Sequence, residues 1–469
     1  MTFNNMISMR ALLGASALVL TLAAPVLADT VFTTAADSFA GNVQAAAATR
    51  GAPLHAGDKF VVTGTGLVPG QQITLQRGGT VLNADGPLTV DAEGGFVYEG
   101  QLDADAQVGL QPVLVIAENP AAATVTEMKI SPVVAAQGAE KFEIASEGVV
   151  PGLYQVGYSK AADALFLTSA VGRPPVKESA LVKVDPATLK VVAQIAPEAA
   201  PARPDGREAG VFAVYGVGVD DTNGNVWVSN TRQDTIAVYR QDDLSLVKQF
   251  APGTVPHSRD VVIDEGRGRA YASTSVDPTV HVFDTKTLEE LDPITVQSGI
   301  RGEDFGTMSL ALDAEGGKLY TVSLNTPEAA EIDLETGTSR IIPLTHSVGA
   351  SGVAYDAQDG LLFIASQGTD NLLIVDAKSG ETRHDVAIGA GPLNVTFDPV
   401  SRQAFVVSRS SGTIAVVDPE GNLIANIEAG TFPNQIASDG KGTIYAVNKS
   451  RGEDDDKGDR IWRLTPAKE

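Results

Sequence analysis

The stretch Gly391–Asp418, GPLNVTFDPVSRQAFVVSRSSGTIAVVD, contains three short apolar runs: Asn394–Phe397, Ala404–Ser408 and Ile414–Val417. Asp398-Pro399 and Ser411-Gly412 stand between them, and turn pairs around β-branched and aromatic runs are a strand signature. A fourth run, Leu423–Ile427, follows before the pattern restarts at Pro433-Asn434. Each unit therefore reads as four strands.

The unit recurs. An aromatic follows a polar turn residue by seven positions in Ser159/Phe166, Asp220/Trp227, Asp264/Tyr271, Asp313/Tyr320, Asp356/Phe363 and Asp398/Phe405, and by six in Asp439/Tyr445. Successive aromatics lie 61, 44, 49, 43, 42 and 40 residues apart. A four-strand repeat of that period is a propeller blade, and one flat side chain per blade fills the wedge between neighbouring sheets. The sequence predicts an all-β chain with a seven-bladed β-propeller.

Outside the repeats, Met1–Ala28 reads as a cleaved signal peptide. Arg10 precedes the apolar run Ala11–Ala24, and Val26-Leu27-Ala28 places small residues at the cleavage positions. No other stretch is long and apolar enough to span a bilayer, and the signal peptide makes the periplasm the expected location. Residues 29–135 carry short alternating runs such as Lys59–Thr63, Gln71–Gln76 and Leu110–Ala117, separated by glycines, and predict a small immunoglobulin-like β-sandwich. Within it Gly64–Gly70 is a turn rather than a nucleotide loop, because a strand follows it. Ala35–Gly51 reads as small, polar and partly extended. Residues 136–140 are a linker, and 141–469 the propeller. The last blade has only three strands before the chain stops, and Lys141–Ala145, KFEIA, is expected to supply its fourth.

Composition removes several classes of function. The 469 residues contain no Cys, which excludes disulfides, thiolate metal sites and Cys nucleophiles. The net charge of -24 argues against a generally basic, nucleic-acid-coating surface. Glu453–Asp456 with Asp459 lacks the spacing of a dedicated cation loop, and His257 and His346 have no partner spacing for zinc or base catalysis. No GxSxG occurs. No metal, cofactor or catalytic residue is assigned.

The two rims of the ring differ. Turns joining the first and second strands, or the third and fourth, are tight, as in Asp313–Gly317 and Asp376–Gly380. The long connections Ala170–Ser179, Ala196–Gly210, Gln297–Gly306 and Asn448–Asp459 all fall on the other rim, where sites are usually built. That rim also carries two columns of small or polar residues. Ser169, Asn230, Thr274, Ser323, Ser366, Ser408 and Asn448 are read as caps of strand ends. Gln155, Gly216, Asp260, Ser309, Gly352, Asn394 and Gln435 stand at the channel mouth. Ligand contacts are expected there from Tyr154, Gln155, Tyr215, Arg259, Asp260 and Arg301. Ser309, Ser351, Asn394, Asn434 and Gln435 complete the expected set. Loop cations, including Arg173, Arg232, Arg409, Lys449 and Arg451, alternate with acids such as Glu303 and Asp304, which reads as a mixed-charge face.

LLIVDAKSG (Leu372–Gly380), TIAVVDPEG (Thr413–Gly421) and FPNQIASDGKGTIYAVN (Phe432–Asn448) resemble the YVTN-repeat propellers, most of all the periplasmic YncE-like group. The likeness covers Glu140–Pro466 and omits the sandwich. It implies a seven-bladed, non-enzymatic binding protein, with single-stranded DNA among the partners of one member type. The expected function is a monomeric, secreted binding propeller for a polymer, peptide or envelope protein. The competing class is a lactonase-like hydrolase using Arg259, Asp260 and Asn394.

Overall fold

The computed structural model describes residues 38–202 and 206–467. The signal peptide expected at Met1–Ala28 lies outside the described residues.

The N-terminal module packs two antiparallel sheets over one core. Asn42–Ala47, Lys59–Thr65 and Phe96–Gln101 form a three-stranded sheet, and a second sheet is built on Gln72–Arg77, Gly109–Glu118 and Ala122–Ile130. Phe60, Val62 and Phe96 of the first meet Ile73, Leu75, Val113, Val115 and Met128 of the second. Period-2 burial in Lys59–Thr65, with Phe60, Val62 and Gly64 inward, is what sorts the apolar side chains to one face. The strand Asn42–Ala47 lies in the stretch 35–51 read as partly extended. Only Val43 is buried in it, so hydrophobicity does not announce it; its ladder to Lys59–Thr65 and the Thr126 Oγ1 bond to the Val43 carbonyl (2.9 Å) hold it in place.

Residues 142–466 form seven four-stranded antiparallel sheets arranged as a β-propeller. In the first six the strands lie in chain order from the inside outward. The blade aromatics Phe166, Trp227, Tyr271, Tyr320, Phe363, Phe405 and Tyr445 are all buried. Each sits between adjacent blades; Phe363, for example, stacks on Phe397 of the next inner strand at 5.0 Å. The aspartates that precede them cap the tight turns: Asp398 Oδ2 accepts the Ser401 amide, and Asp313 Oδ1 the Gly316 amide.

The seventh sheet consists of Pro433–Ser438, Ile444–Asn448, Arg460–Pro466 and, outermost, Phe142–Gly148. The ladder runs from Arg460 opposite Gly148 to Pro466 opposite Phe142. It starts one residue later and ends three residues later than the KFEIA run, since Lys141 belongs to a short 3-10 turn, Ala139–Lys141. Seventh and first blades also meet directly: Gln435 Oε1 accepts the Val156 amide at 3.1 Å.

The module rests on the long-loop rim. Lys129 donates to the Gln367 carbonyl and to Asp370 in the turn between the second and third strands of blade five. The linker is strapped to the outer strand of blade six, where Gln137 and Asn426 exchange backbone hydrogen bonds of 2.9 and 3.0 Å.

Candidate functional site

Six of the seven inner strands break register at their heads, between Leu153/Val156, Ser258/Val261, Thr307/Leu310, Ala350/Gly352, Pro392/Asn394 and Pro433/Gln435. Such bulges lift residues out of the ladder and re-aim their side chains. Tyr154, Gln155, Arg259, Asp260, Ser309, Ser351 and Asn434 all lie inside these breaks. Tyr215 stands just above the inner strand of blade two, Val217–Asp220, with its amide on the Ser229 carbonyl.

Much of the inner column stitches one blade to the next. Gln435 accepts the Val156 amide, Gln155 the Val217 amide and Asp260 the Leu310 amide, always one residue beyond the column position of the following blade. Across the mouth, Ser309 Oγ donates to Asn394 Oδ1 (3.0 Å), Asn394 Nδ2 to the Asn434 carbonyl (2.6 Å) and Asn434 Nδ2 to the Tyr154 carbonyl (2.7 Å). Ser351 Oγ bonds the Leu393 carbonyl. Loss of solvent pushes the Asp260 carboxyl up, against the pull of Arg259. At Gly216 and Gly352 a side chain has no room: a Cβ would stand 2.5 Å from the Arg259 carbonyl oxygen and 2.8 Å from the Asn394 Cα. The second column caps loops, with Asn230 on the Phe212 carbonyl and Asn448 on those of Thr431 and Lys457.

Positive charge gathers beside this network. Arg259 lies 5.5 Å and Lys449 4.8 Å from the Tyr154 ring centre, and Arg232 lies 5.9 Å from that of Tyr215. The two tyrosines meet edge to face at 4.8 Å. Arg409 and Arg451 both sit about 5 Å from the Phe432 ring, and Arg409 Nη1 donates to Asn434 Oδ1. Among the described residues none of Arg232, Arg259, Arg409 or Lys449 has a carboxylate within ion-pair distance, unlike Arg402 or Lys318, which are paired. Arg259 is 7% exposed, and its Nη1 is buried with no hydrogen-bond partner in the protein.

Like-charge crowding in a half-buried setting shows in the proton affinities. Burial first, then Arg409 and Arg232, push Lys449 down to about 8. Burial and then Arg232 lower His257, whereas burial raises Tyr215. A cleft of about 1290 Å³ opens here, lined by Arg409, Phe432, Lys449, Arg451 and Arg173, with Arg50 of the N-terminal module on its wall and Glu453, Asp455 and Asp459 of the acidic loop on its other side. A second, of about 700 Å³, continues past Arg409 to Lys457 and Trp462, with Val134 and Ala136 at its edge.

Of the expected site residues, Tyr154, Tyr215, Arg259 and Asn434 come together with this cluster. Gln155, Asp260, Ser309, Ser351, Asn394 and Gln435 hold the surrounding frame. Arg301 is exposed on the 297–306 connection, without an ion pair or ring contact among the described residues. Arg232, Arg409 and Lys449 were legible as loop cations, but not as neighbours, because they come from three different blades. No group of three His, Cys, Asp or Glu that could hold a metal ion occurs among the described residues. Asp455, in the acidic loop, accepts from Thr431 Oγ1 and the Arg451 amide, so it anchors that loop. No helix of the described residues is long and apolar enough to cross a membrane.

No family model matches the chain. It is 23% identical over 325 residues to YncE of Salmonella typhimurium, spanning 65% of this chain and 85% of that protein. Against YncE of Escherichia coli K12 it is 23% identical over 212 residues, 43% of this chain and 53% of the relative. Among solved structures it is similar to Kuenenia stuttgartiensis hydrazine synthase, with a TM-score of 0.51 and 17% identity over 64% of this chain and 93% of that one; this likeness concerns the fold alone. By its repeats and its sheets the chain is a β-propeller protein, and it is similar to the bacterial YncE proteins.

Proposed function

We propose that the protein is a secreted, periplasmic, non-enzymatic binding propeller that engages its partner through the channel mouth on the long-loop rim. Residues 29–135 act as a separate immunoglobulin-like module, 136–140 as linker, and 141–469 as the binding ring, which works as a monomer. The partner is a polymer, peptide or envelope protein, and the family likeness admits single-stranded DNA.

The observation that carries this reading is the cluster of unpaired cations at the mouth of a chain whose net charge is -24. Self-repulsion and lost solvation make such a cluster costly to maintain, and a partner of opposite charge recovers that cost. The lactonase-like alternative is less favoured because Asp260 and Asn394 already have protein partners.

Hydrogen exchange tests the reading, with a single-stranded oligonucleotide and polyglutamate as probes. Protection is expected at the strand heads 154–155, 215–216, 259–260 and 434–435 and on residues 297–306. Protection confined to the tight turns near Asp313 and Asp376 overturns it.

A further inference from the structure

Resting on that reading, we infer that the mouth is a seat for a compact oxyanion carrying two or more negative charges, gripped by Arg232, Arg259, Arg409 and Lys449, and not a groove for stacked nucleobases.

Ring occupancy separates these two ligand classes. A single-strand groove needs aromatic faces open to bases. Here Tyr154 is in contact with Arg259, Lys449 and Tyr215, while Tyr215 also carries Arg232. Phe432 carries Arg409 and Arg451. A base stacking on any of these rings would have to displace a cation or the other tyrosine.

The same contacts favour an oxyanion. A ring holds a cation in place without neutralising it, whereas a carboxylate partner would cancel its charge. The rings therefore position four full charges and leave N–H groups available to oxygen acceptors. Guanidinium forks match phosphate and carboxylate oxygens in pairs, and a lysine adds a point charge. One negative charge would leave this cluster strongly positive, so a multiply charged ligand fits it better.

Arg259 supplies an independent sign. A buried donor without an acceptor is uncommon in folded proteins and calls for a partner such as a water or an ion, and beside a cation cluster an anion can be that partner. Arg259 Nη1 is such a donor, at the head of a bulged inner strand and beside Tyr154. Nearby Asp260 does not neutralise it at ion-pair distance, and that carboxylate faces the Leu310 amide of the next blade.

Binding is tested on the full chain by calorimetry and thermal unfolding with sodium phosphate and sodium citrate, against sodium chloride at equal ionic strength. Both polyvalent anions should bind and raise Tm beyond the chloride control. Arg409→Gln and Lys449→Met should each weaken citrate at least tenfold, and Arg409→Lys should restore part of the loss. Circular dichroism and Tm without ligand verify folding of each variant. Stabilisation no greater than with chloride, or citrate affinity unchanged in both variants, overturns the inference. A 12-nucleotide single strand that binds while phosphate and citrate do not also overturns it, yet leaves the loop-rim binding reading intact.

Discussion

Lys129 Nζ of the N-terminal module lies 2.8 Å from Asp370 Oδ1 of blade five, and the same carboxylate accepts the Gly391 amide at 2.7 Å. Asp370 is 2% exposed, while Lys129 keeps about a third of its side chain in solvent. One buried carboxylate thus ties the module, a loop of blade five and the entry to blade six.

Replacing Lys129 by Met leaves Asp370 covered but without its cation. The expected loss is about 1–3 kcal/mol, less than for a fully buried pair because Lys129 is partly solvated. Urea denaturation of the full chain measures it. Deleting the module by starting at Ala136 uncovers Asp370 to water, so the propeller should lose less than it does in Lys129→Met.

Ring closure can be tested by truncation. A chain starting at Val149 lacks the whole outer strand Phe142–Gly148 and the edge-to-face contact of Phe142 with Phe405 at 5.9 Å. Phe142 is partly buried and contributes less than the about 1.5–3 kcal/mol of a fully buried Phe, but with the whole ladder lost a drop of about 3 kcal/mol or more is expected relative to the chain starting at Ala136. Equal melting temperatures for the two would contradict this role.

Lys449 gives a pH signature. Its folded value near 8 lies below the usual 10.5, so between those values the unfolded chain binds a proton that the folded chain has released. Stability should therefore rise with pH from about 8 and be lowest where Lys449 is charged. Arg409, Arg232, Asp459 and Tyr154 surround the amine, and only Asp459 opposes the shift. Buried tyrosines such as Tyr239, Tyr271 and Tyr445, pushed up to about 12, act in the opposite sense above pH 10. Melting curves between pH 8 and 10 should show the rise in the native chain and a flatter profile in Lys449→Met.

Gly216→Ala should damage the site through sterics alone. The new Cβ would stand 2.5 Å from the Arg259 carbonyl oxygen and 2.8 Å from Ser229 Oγ, forcing the two inner strands apart. A loss of about 1–3 kcal/mol is expected, together with weaker citrate binding. Gly148→Ala, whose Cβ would meet nothing nearer than Arg460 Nη1 at 4.0 Å, should stay within about 0.5 kcal/mol of the native chain.

The blades were readable because each one repeats its own local chemistry. Asp398 caps a turn and Phe405 fills a wedge whatever the rest of the chain does, and both leave a fixed spacing in the sequence. The mouth was readable only in outline. Gln155, Asp260 and Gln435 are polar residues at strand heads, and a bulge there decides whether such a side chain meets solvent or the next blade's amide. Periodicity carries no record of that choice. Arg232, Arg409 and Lys449 converge because blades six, seven, one and two are brought together by the closed ring, a relation absent from any local window. Asn42–Ala47 was readable only as partly extended and not as a defined strand, since alanines pack in a strand without marking it.

The partnership of Arg460–Pro466 with Phe142–Gly148 also orders events in time. Thr465 and Glu143 are neighbours although 322 positions separate them in the chain. Closing so long a loop carries the largest entropic cost of any contact in the ring, so it forms late and slowly. As the polypeptide emerges amino end first, the strand at residue 142 has to wait, with its edge bare, for the last residues to arrive. During that interval the nascent chain is most exposed to wrong pairing with other chains, and a holding chaperone would have its greatest effect then.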